Sequence, residues 1–142
     1  KSVEAYEAVI HLDTSFLIDL LNEAVRKNEG PAHSFLATIA EYPVGISVFV
    51  LCELLMGAEL SGKPDRERER VMVIAEGVYI AYPDELFAAA FAKQYARQER
   101  LGQRIATMDL LIATSAITAD ASLVTRNTKD FKRISGLRLM TY

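Results

Sequence analysis

Short apolar segments of strand length alternate with longer segments of helical periodicity, and this alternation is the feature that most restricts the fold. The strand-length segments are residues 8–12, 44–46, 78–80, 122–125 and 137–139. Strands that alternate with helices are typical of a mostly parallel sheet. The chain has 142 residues, 51% of them hydrophobic, which is enough to bury one core. We therefore expect a single α/β domain over residues 1–142, with a central mostly parallel sheet flanked by helices.

Capping and breaking residues set the expected helix ends. Helices are predicted over residues 16–25, from 31 to near 43, and over 48–60, 65–76, 84–101, 108–117 and 128–133. Thr14 or Ser15, Ser47 and Thr107 are the predicted N-caps, because their hydroxyls can accept hydrogen bonds from the first helical turn. The helix over 84–101 is expected to face the core with a stripe of apolar residues, namely Leu86, Phe87, Ala90, Phe91 and Tyr95.

Cysteine content, hydropathy and charge indicate the compartment and the class of partner. Cys52 is the only cysteine, so it cannot form an internal disulfide, and we expect it to be a small buried residue. No apolar run is long enough to span a bilayer and no secretory leader is recognised, so we expect a cytoplasmic protein without membrane contact. Residues 93–142 carry 9 basic and 4 acidic side chains, against 7 and 15 in residues 1–92. The basic third is compatible with nucleic-acid binding, although ordinary surface charge is the alternative.

Three acidic residues stand near the ends of predicted strands or the start of a predicted helix, and a fourth lies within a predicted helix. Asp13 follows the first strand, Asp130 follows the strand over 122–125, and Asp109 lies in the first turn of an apolar helix. Glu53 is the only charged residue between positions 44 and 58. Each acid also has a structural interpretation. Asp13 suits a helix cap, Asp109 suits the helix dipole, Asp130 lies in a surface turn, and Glu53 could face solvent on its helix.

The four acids are expected to converge, because the carboxyl ends of parallel strands meet at one edge of a sheet. Converging carboxylates repel one another and raise one another's pKa values. A hard divalent cation such as Mg²⁺ or Mn²⁺, which prefers oxygen ligands, removes that conflict. Such a cation can bind a phosphate oxygen and lower the pKa of a bound water. The acids therefore predict metal-assisted phosphodiester hydrolysis.

Other catalytic chemistries lack their usual residues. The sequence has no glycine-rich phosphate loop and no Gly-x-Ser-x-Gly motif around a nucleophile. His11 and His33 are far apart in the sequence and lie in apolar surroundings. We expect both to be packing or surface residues.

Several sequence motifs together resemble a known family. They are LDTS at residues 12–15, Ser47 followed by Glu53 and by GA at 57–58, DLLIA at 109–113, TRNTKDF at 125–131, and GL at 136–137. In this order and spacing the chain resembles the PIN-domain family, and within it the VapC-type toxin ribonucleases of toxin–antitoxin modules. The resemblance implies a small α/β fold with a central parallel sheet and an acidic cleft for Mg²⁺ or Mn²⁺.

The resemblance also implies roles for individual residues. Asp13 and Asp109 match the principal metal ligands, and Glu53 and Asp130 match the other two acids of the catalytic set. Supporting polar positions are matched by Thr14, Ser15, Thr125 and Asn127. Four basic residues flank the fourth acid and could bind the RNA backbone, although a solvated turn is an equally good interpretation; they are Arg126, Lys129, Lys132 and Arg133.

The implied partners are an RNA substrate and a VapB-like antitoxin protein that blocks the cleft, and a homodimer is common in the family. Three rival functions stay open. The first is a PIN-like binding protein that cuts nothing, and the second is a DNA-directed nuclease on the same fold. The third is a phosphotransfer enzyme or receiver domain. A haloacid-dehalogenase-type phosphatase needs an Asp two residues after Asp13, where Ser15 stands, and the acidic pair and late lysine of a receiver are not evident.

Overall fold

Five short strands form one parallel sheet in the computed structural model, which describes residues 9–142. The strands are β1 (Val9–Leu12), β2 (Val44–Ser47), β3 (Tyr79–Ala81), β4 (Ala121–Val124) and β5 (Arg138–Met140). Their order across the sheet is β3-β2-β1-β4-β5, and every neighbouring pair is parallel. The chain thus builds outward from β1 in one direction and then in the other, which opens a crevice beside the carboxyl end of β1.

Helices connect these strands and flank the sheet. Within the described residues they are α1 (Thr14–Arg26), α2 (Pro31–Thr38), α3 (Val48–Leu60), α4 (Pro64–Glu76), α5 (Phe87–Leu101), α6 (Thr107–Thr118) and α7 (Thr128–Phe131). The predicted α/β class with a central parallel sheet is confirmed, and each predicted strand lies within two residues of an observed one. Residue 8, predicted as strand, lies outside the described residues. Among residues 9–142, no helix is both long and apolar enough to cross a membrane.

The core lies between the central strands and helices α1, α3 and α6. Its largest fully buried apolar side chains include Phe16, Leu17, Ile46, Leu110 and Leu123. Both faces of β1 and β4 are covered, which explains why these strands are apolar runs rather than alternating patterns. The predicted single domain over residues 1–142 agrees with this core in its described part and stays a prediction at its limits.

His11 lies in the middle of β1 and is a packing residue. Packing and a surface position were the two roles that the sequence allowed. His11 is 1% exposed, and its ring meets the ring of Tyr79 edge-on at 6.0 Å between centroids. Glycine at position 45 on the neighbouring strand makes room for this ring, because a Cβ there would lie 2.5 Å from Tyr79 and force the ring to move. Burial lowers the pKa of His11 to about 4, so the imidazole is neutral at physiological pH.

Two of the predicted helix caps are wrong by one residue. Asp13 and Ala106, not a following hydroxyl residue, occupy the N-cap positions of α1 and α6. In both places the extended backbone turns into the helix one residue early, so Thr14 and Thr107 are already helical. The predicted cap at Ser47 is confirmed, since its hydroxyl accepts a hydrogen bond from the Val50 backbone N–H at 3.2 Å.

Helices α2 and α5 are shorter than predicted. Helix α2 ends at Thr38 instead of near residue 43, where the hydroxyl of Thr38 donates to the Phe35 carbonyl and tight turns follow. Helix α5 begins at Phe87 rather than at residue 84, because the carboxylate of Asp84 accepts the Leu86 N–H at 2.9 Å and forms a turn.

Three residues predicted to be buried are exposed. In the expected inner stripe of α5, Leu86 is 64% exposed and Tyr95 is 48% exposed, whereas Phe87 is buried. Cys52 on α3 is also exposed rather than buried. Helix α3 is so uniformly apolar that its sequence does not reveal which face meets the core.

One buried carboxylate, Glu23, fixes the connection between α1 and α2. Its oxygens accept the backbone N–H groups of Gly30, Ala32 and His33 at 2.7–3.0 Å, and the His33 ring nitrogen Nδ1 lies 2.7 Å away. Pro31 has no N–H to offer, so Glu23 satisfies the available donors of the first turn of α2. Burial opposes ionisation, but the hydrogen bonds from His33, Ala32 and Gly30 outweigh it and lower the pKa of Glu23 to about 2.

We expect Glu23→Gln to lower the thermal unfolding midpoint by several degrees at pH 7, because the neutral amide cannot accept all of these donors. A lowered pKa means that the ionised carboxylate stabilises the fold above its ordinary pKa of 4.5 and that this contribution disappears as the pH falls towards 2. The difference between variant and wild type should therefore shrink over that interval. Glu29→Gln in the same loop is the control and should change little. A pH-independent difference would contradict the role of the charge.

Candidate metal and active site

Two neighbouring strands deliver polar side chains to the carboxyl edge of the sheet. Asp13 directly follows β1 and Thr125 directly follows β4. The backbone N–H of Asp13 donates to the Val124 carbonyl at 2.9 Å, and that of Thr125 donates to the Met140 carbonyl at 3.1 Å. These bonds continue the sheet by one residue, so the Asp13 and Thr125 side chains emerge side by side where ligands bind in parallel α/β sheets.

The carboxylate of Asp13 is held by two hydroxyl groups. Its Oδ2 atom accepts the Thr125 hydroxyl at 2.7 Å and the Ser15 hydroxyl at 3.0 Å. Backbone N–H groups fix both hydroxyls in turn, that of Asn127 bonding Thr125 Oγ1 at 2.9 Å and that of Arg126 bonding Ser15 Oγ at 3.1 Å. Asp13 is 4% exposed, and its carboxylate makes no helix-cap hydrogen bond. The side chain is therefore committed to this edge rather than to capping α1.

Glu53 reaches the same edge from α3. It is half-buried, and its Oε1 atom accepts the Thr14 hydroxyl at 2.6 Å. Thr14 adjoins Asp13 in the chain, so this bond ties α3 to the start of α1. Glu53 therefore lies beside the Asp13 end of α1 rather than on a solvent-facing stripe of α3.

Asp109 lies near enough to the other three acids for their charges to raise its pKa. It lies in the first turn of α6 and is half-buried. Burial and, to a smaller extent each, the neighbouring charges of Asp13, Glu53 and Asp130 together raise its pKa to about 6. Repulsion of this kind requires that the carboxylates share one region of low solvent exposure. The structure thus brings together all four acids that the sequence singled out.

Asp130 is the only one of the four acids with a basic neighbour within 4 Å among residues 9–142. The Arg133 guanidinium lies 3.7 Å from its carboxylate. No Lys, Arg or His in that part of the chain comes within 4 Å of the carboxylates of Asp13, Glu53 or Asp109. Three negative charges are consequently left without a protein counter-ion.

The donor set fits a hydrated hard cation. Within residues 9–142, no three acidic, His or Cys side chains are gathered closely enough to bind one ion directly. Mg²⁺ needs only one or two carboxylates because it keeps several waters, and carboxylate oxygens are the ligands it prefers. A positive charge among these acids would also remove the repulsion that raises the pKa of Asp109.

The four basic residues suggested for RNA binding all lie beside this edge, but in different environments. Arg126 pairs with Asp19 at 3.0 Å and Arg133 lies beside Asp130. Lys129 and Lys132 are exposed on and just after α7. Arg126 is thus held in place by Asp19, which is not one of the four acids.

Sequence reasoning missed two residues of this region, Asp19 and Tyr142. Asp19 lies on α1 one turn after Ser15, and its oxygens accept hydrogen bonds from Arg126 and from the Tyr142 hydroxyl. The spacing of four from Ser15 puts both side chains on one face of the helix, which was a usable signal. Tyr142 offered no signal, because it lies 123 positions away in the chain.

The parallel sheet and its acidic edge define an α/β domain with the layout of a metal-dependent nuclease. A family model described as PIN domain matches residues 10–137, which is most of the chain. The chain therefore belongs to the PIN-domain family.

Relatives within that family are VapC ribonucleases. Ribonuclease VapC1 of Rickettsia felis is 41% identical over 105 residues, covering 68% of this chain and 74% of the relative. Ribonuclease VapC1 of Methanocaldococcus jannaschii is 29% identical over 143 residues, covering 100% of this chain and 93% of the relative. Among solved structures, VapBC2 of Rickettsia felis bound to a promoter DNA fragment matches with a TM-score of 0.85 and 28% identity, covering 94% of this chain and 98% of that chain.

We expect Asp109→Asn to stabilise the metal-free protein at neutral pH. A raised pKa means that the folded state resists ionisation, so the wild type loses stability as the pH rises from 3.8 to about 6. Above pH 6 the variant should unfold about 3 °C higher, or roughly 1 kcal/mol after allowing for solvent screening of a half-exposed group. Below pH 3.8 the two proteins should coincide. Thermal unfolding in EDTA measures this.

Asp65→Asn is the matched control, since Asp65 occupies the first turn of α4 as Asp109 occupies that of α6. Asp65 is exposed and pairs with Arg68 at 3.0 Å, so its removal should give no stabilisation. Equal responses of the two variants would show that the cluster exerts no repulsion on Asp109.

Proposed function

We propose that the chain is a metal-dependent endoribonuclease that hydrolyses RNA phosphodiester bonds and acts as the toxin of a VapBC-type toxin–antitoxin module. The observation that carries the proposal is the convergence of Asp13, Glu53, Asp109 and Asp130, three of them lacking a protein counter-ion within the described residues. Membership among VapC ribonucleases supports RNA as the substrate. The catalytic layout and the substrate class thus point to one reaction.

In this proposal Asp13 and Asp109 hold Mg²⁺ or Mn²⁺, and Glu53 and Asp130 complete its surroundings. The bound cation supplies a lowered pKa for a coordinated water and stabilises negative charge on the phosphate and the leaving oxygen. The Ser15 and Thr125 hydroxyls fix the orientation of the Asp13 carboxylate, as neighbours of metal ligands commonly do.

Among residues 9–142, only one oxygen of Glu53 has a hydrogen-bond partner, so the other is available for the attacking water. Its Oε1 atom is engaged by the Thr14 hydroxyl, which leaves Oε2 to accept a hydrogen bond from a water and to orient it towards phosphorus. Asn127 acts one step away, through the N–H that holds Thr125. Arg126, Lys129, Lys132 and Arg133 contact backbone phosphates, which fixes the position of the RNA without reading its sequence.

We propose a VapB-like antitoxin protein as the partner and a homodimer as the assembly. The similar Rickettsia felis structure contains VapBC2, which supports an antitoxin partner for this chain. Exposed apolar side chains on α3 and α5, among them Met56, Leu60 and Tyr95, support a protein interface. Cleavage of cellular RNA requires a cytoplasmic location.

Cleavage of total cellular RNA tests the proposed activity. The purified chain with Mg²⁺ or Mn²⁺ should release discrete fragments, and EDTA should abolish them. Asp13→Asn and Glu53→Gln should each lower the rate by ~100-fold or more, because they remove carboxylates on which the cation and the water depend. Both variants should still fold.

Glu59→Gln is the matched control, because Glu59 lies on the same helix as Glu53 but pairs with Arg68 away from the acids. It should cut at the wild-type rate. Full activity of Asp13→Asn would refute its role as a metal ligand. A folded, metal-binding wild type that cuts DNA but not RNA, or cuts neither, would favour the DNA-directed or the non-catalytic alternative.

We expect millimolar Mg²⁺ or Mn²⁺ to raise the thermal unfolding midpoint of the wild type. A cation at 100 times its dissociation constant adds about 2.7 kcal/mol to the free energy of unfolding, because it binds only the folded state. The same titration of Asp13→Asn should give a much smaller rise. Equal rises in both proteins would indicate nonspecific ion binding instead of a site at this edge.

A further inference from the structure

Arg126 stands at the edge of the acidic site on a backbone that the site itself fixes. Its N–H donates to Ser15 Oγ, the same hydroxyl that bonds the Asp13 carboxylate. The side chain is 59% exposed, and its Nη1 atom donates to Asp19 Oδ1 at 3.0 Å. The guanidinium is thus held by Asp19, on a residue whose backbone adjoins the Asp13 site, while most of it faces solvent.

Asp19 is itself held from the opposite side by Tyr142. The carboxylate is 22% exposed, and its second oxygen, Oδ2, accepts the Tyr142 hydroxyl. The Tyr142 ring packs edge-on against Phe16 at 4.8 Å and lies 6.2 Å from Phe35. Phe16 is fully buried, so the tyrosine hydroxyl has a fixed position. A continuous chain of contacts therefore runs from the core, through Tyr142 and Asp19, to Arg126.

We propose, building on the endoribonuclease function above, that Asp19 and Tyr142 are positioning residues that hold the Arg126 guanidinium for a phosphate of the bound RNA. Arginine has five N–H donors in a planar fork, and the contact with Asp19 uses only one of them. The remaining donors suit the two oxygens of a phosphate. Asp19 therefore orients the fork without consuming it.

The surroundings favour a phosphate over a purely structural role for this pair. Four carboxylates lie at this edge, and a polyanionic substrate needs a fixed positive charge there to offset them. A second pair, Asp120 and Arg138, has the same chemistry and the same 3.0 Å distance. That pair lies where β4 and β5 begin, at the opposite edge of the sheet, with Asp120 89% exposed. It supplies a matched control in the same chain.

Positioning and simple charge predict opposite results for Asp19→Asn. The substitution removes a negative charge near a polyanion, so charge alone predicts tighter RNA binding and an unchanged or faster reaction. Loss of positioning leaves Arg126 charged but free to move away from the reacting phosphate. Loss of positioning therefore predicts a lower kcat without a rise in KM.

The wild type is first used to identify an RNA that it cuts in total cellular RNA. The experiment then measures kcat and KM for cleavage of that RNA. Asp19→Asn should lower kcat about tenfold with KM unchanged or lower, and Asp19→Glu should restore part of that loss. Tyr142→Phe, which keeps the ring against Phe16, should lower kcat about threefold. In an Arg126→Ala background neither substitution should lower kcat further, because the group they position is gone. Asp120→Asn should stay within twofold of the wild type.

The outcomes separate this inference from the function on which it rests. A wild type that releases no RNA fragment overturns the endoribonuclease function and this inference with it. A wild type that cuts while Asp19→Asn keeps its kcat within twofold overturns the positioning role alone. The same holds if Asp19→Asn loses equal activity with and without Arg126, which is the signature of a structural role. If Asp19→Asn fails to fold, Tyr142→Phe with and without Arg126 decides between the same results.

Discussion

Repulsion between carboxylates is the constraint on which the rest of this structure depends. Asp109 has a pKa of about 6 because burial and three neighbouring acids oppose its ionisation. Such a cluster disfavours folding unless other interactions fix its members. Hydroxyl groups do this for Asp13 and Glu53, each through bonds of 2.6–3.0 Å. The protein gives up stability at this edge, which is the cost that the proposed cation would remove.

The parallel sheet explains why residues far apart in sequence meet at this edge. β1 and β4 are adjacent and run in the same direction, so Asp13 and Thr125, 112 positions apart, leave the sheet together. Helices α3 and α6 begin on the same side. Helix α3 directly follows the carboxyl end of β2, whereas α6 reaches this edge from the loop after α5. A binding edge of this kind follows from topology, and only the identity of its side chains is particular to this chain.

The sequence singled out the four acids and the polar residues that hold two of them, namely Thr14, Ser15, Thr125 and Asn127. Asp13 and Asp130 follow apolar strands, and that signal needs no three-dimensional information. The pair of Asp19 and Tyr142 could not be predicted, because the contact spans nearly the whole chain. The prediction that Cys52 and Tyr95 are buried was wrong for a different reason. Helices with apolar residues on several faces do not reveal from sequence alone which face meets the core.

The two outer strands limit how far the sheet can grow. β3 and β5 have three residues each, and they are the edges at which another chain could add a strand. Edge strands this short offer few free backbone groups, and Arg138 on β5 adds a charge there. Intermolecular strand pairing is thereby discouraged. Association with another copy through these edges is therefore disfavoured relative to contacts made by the helices.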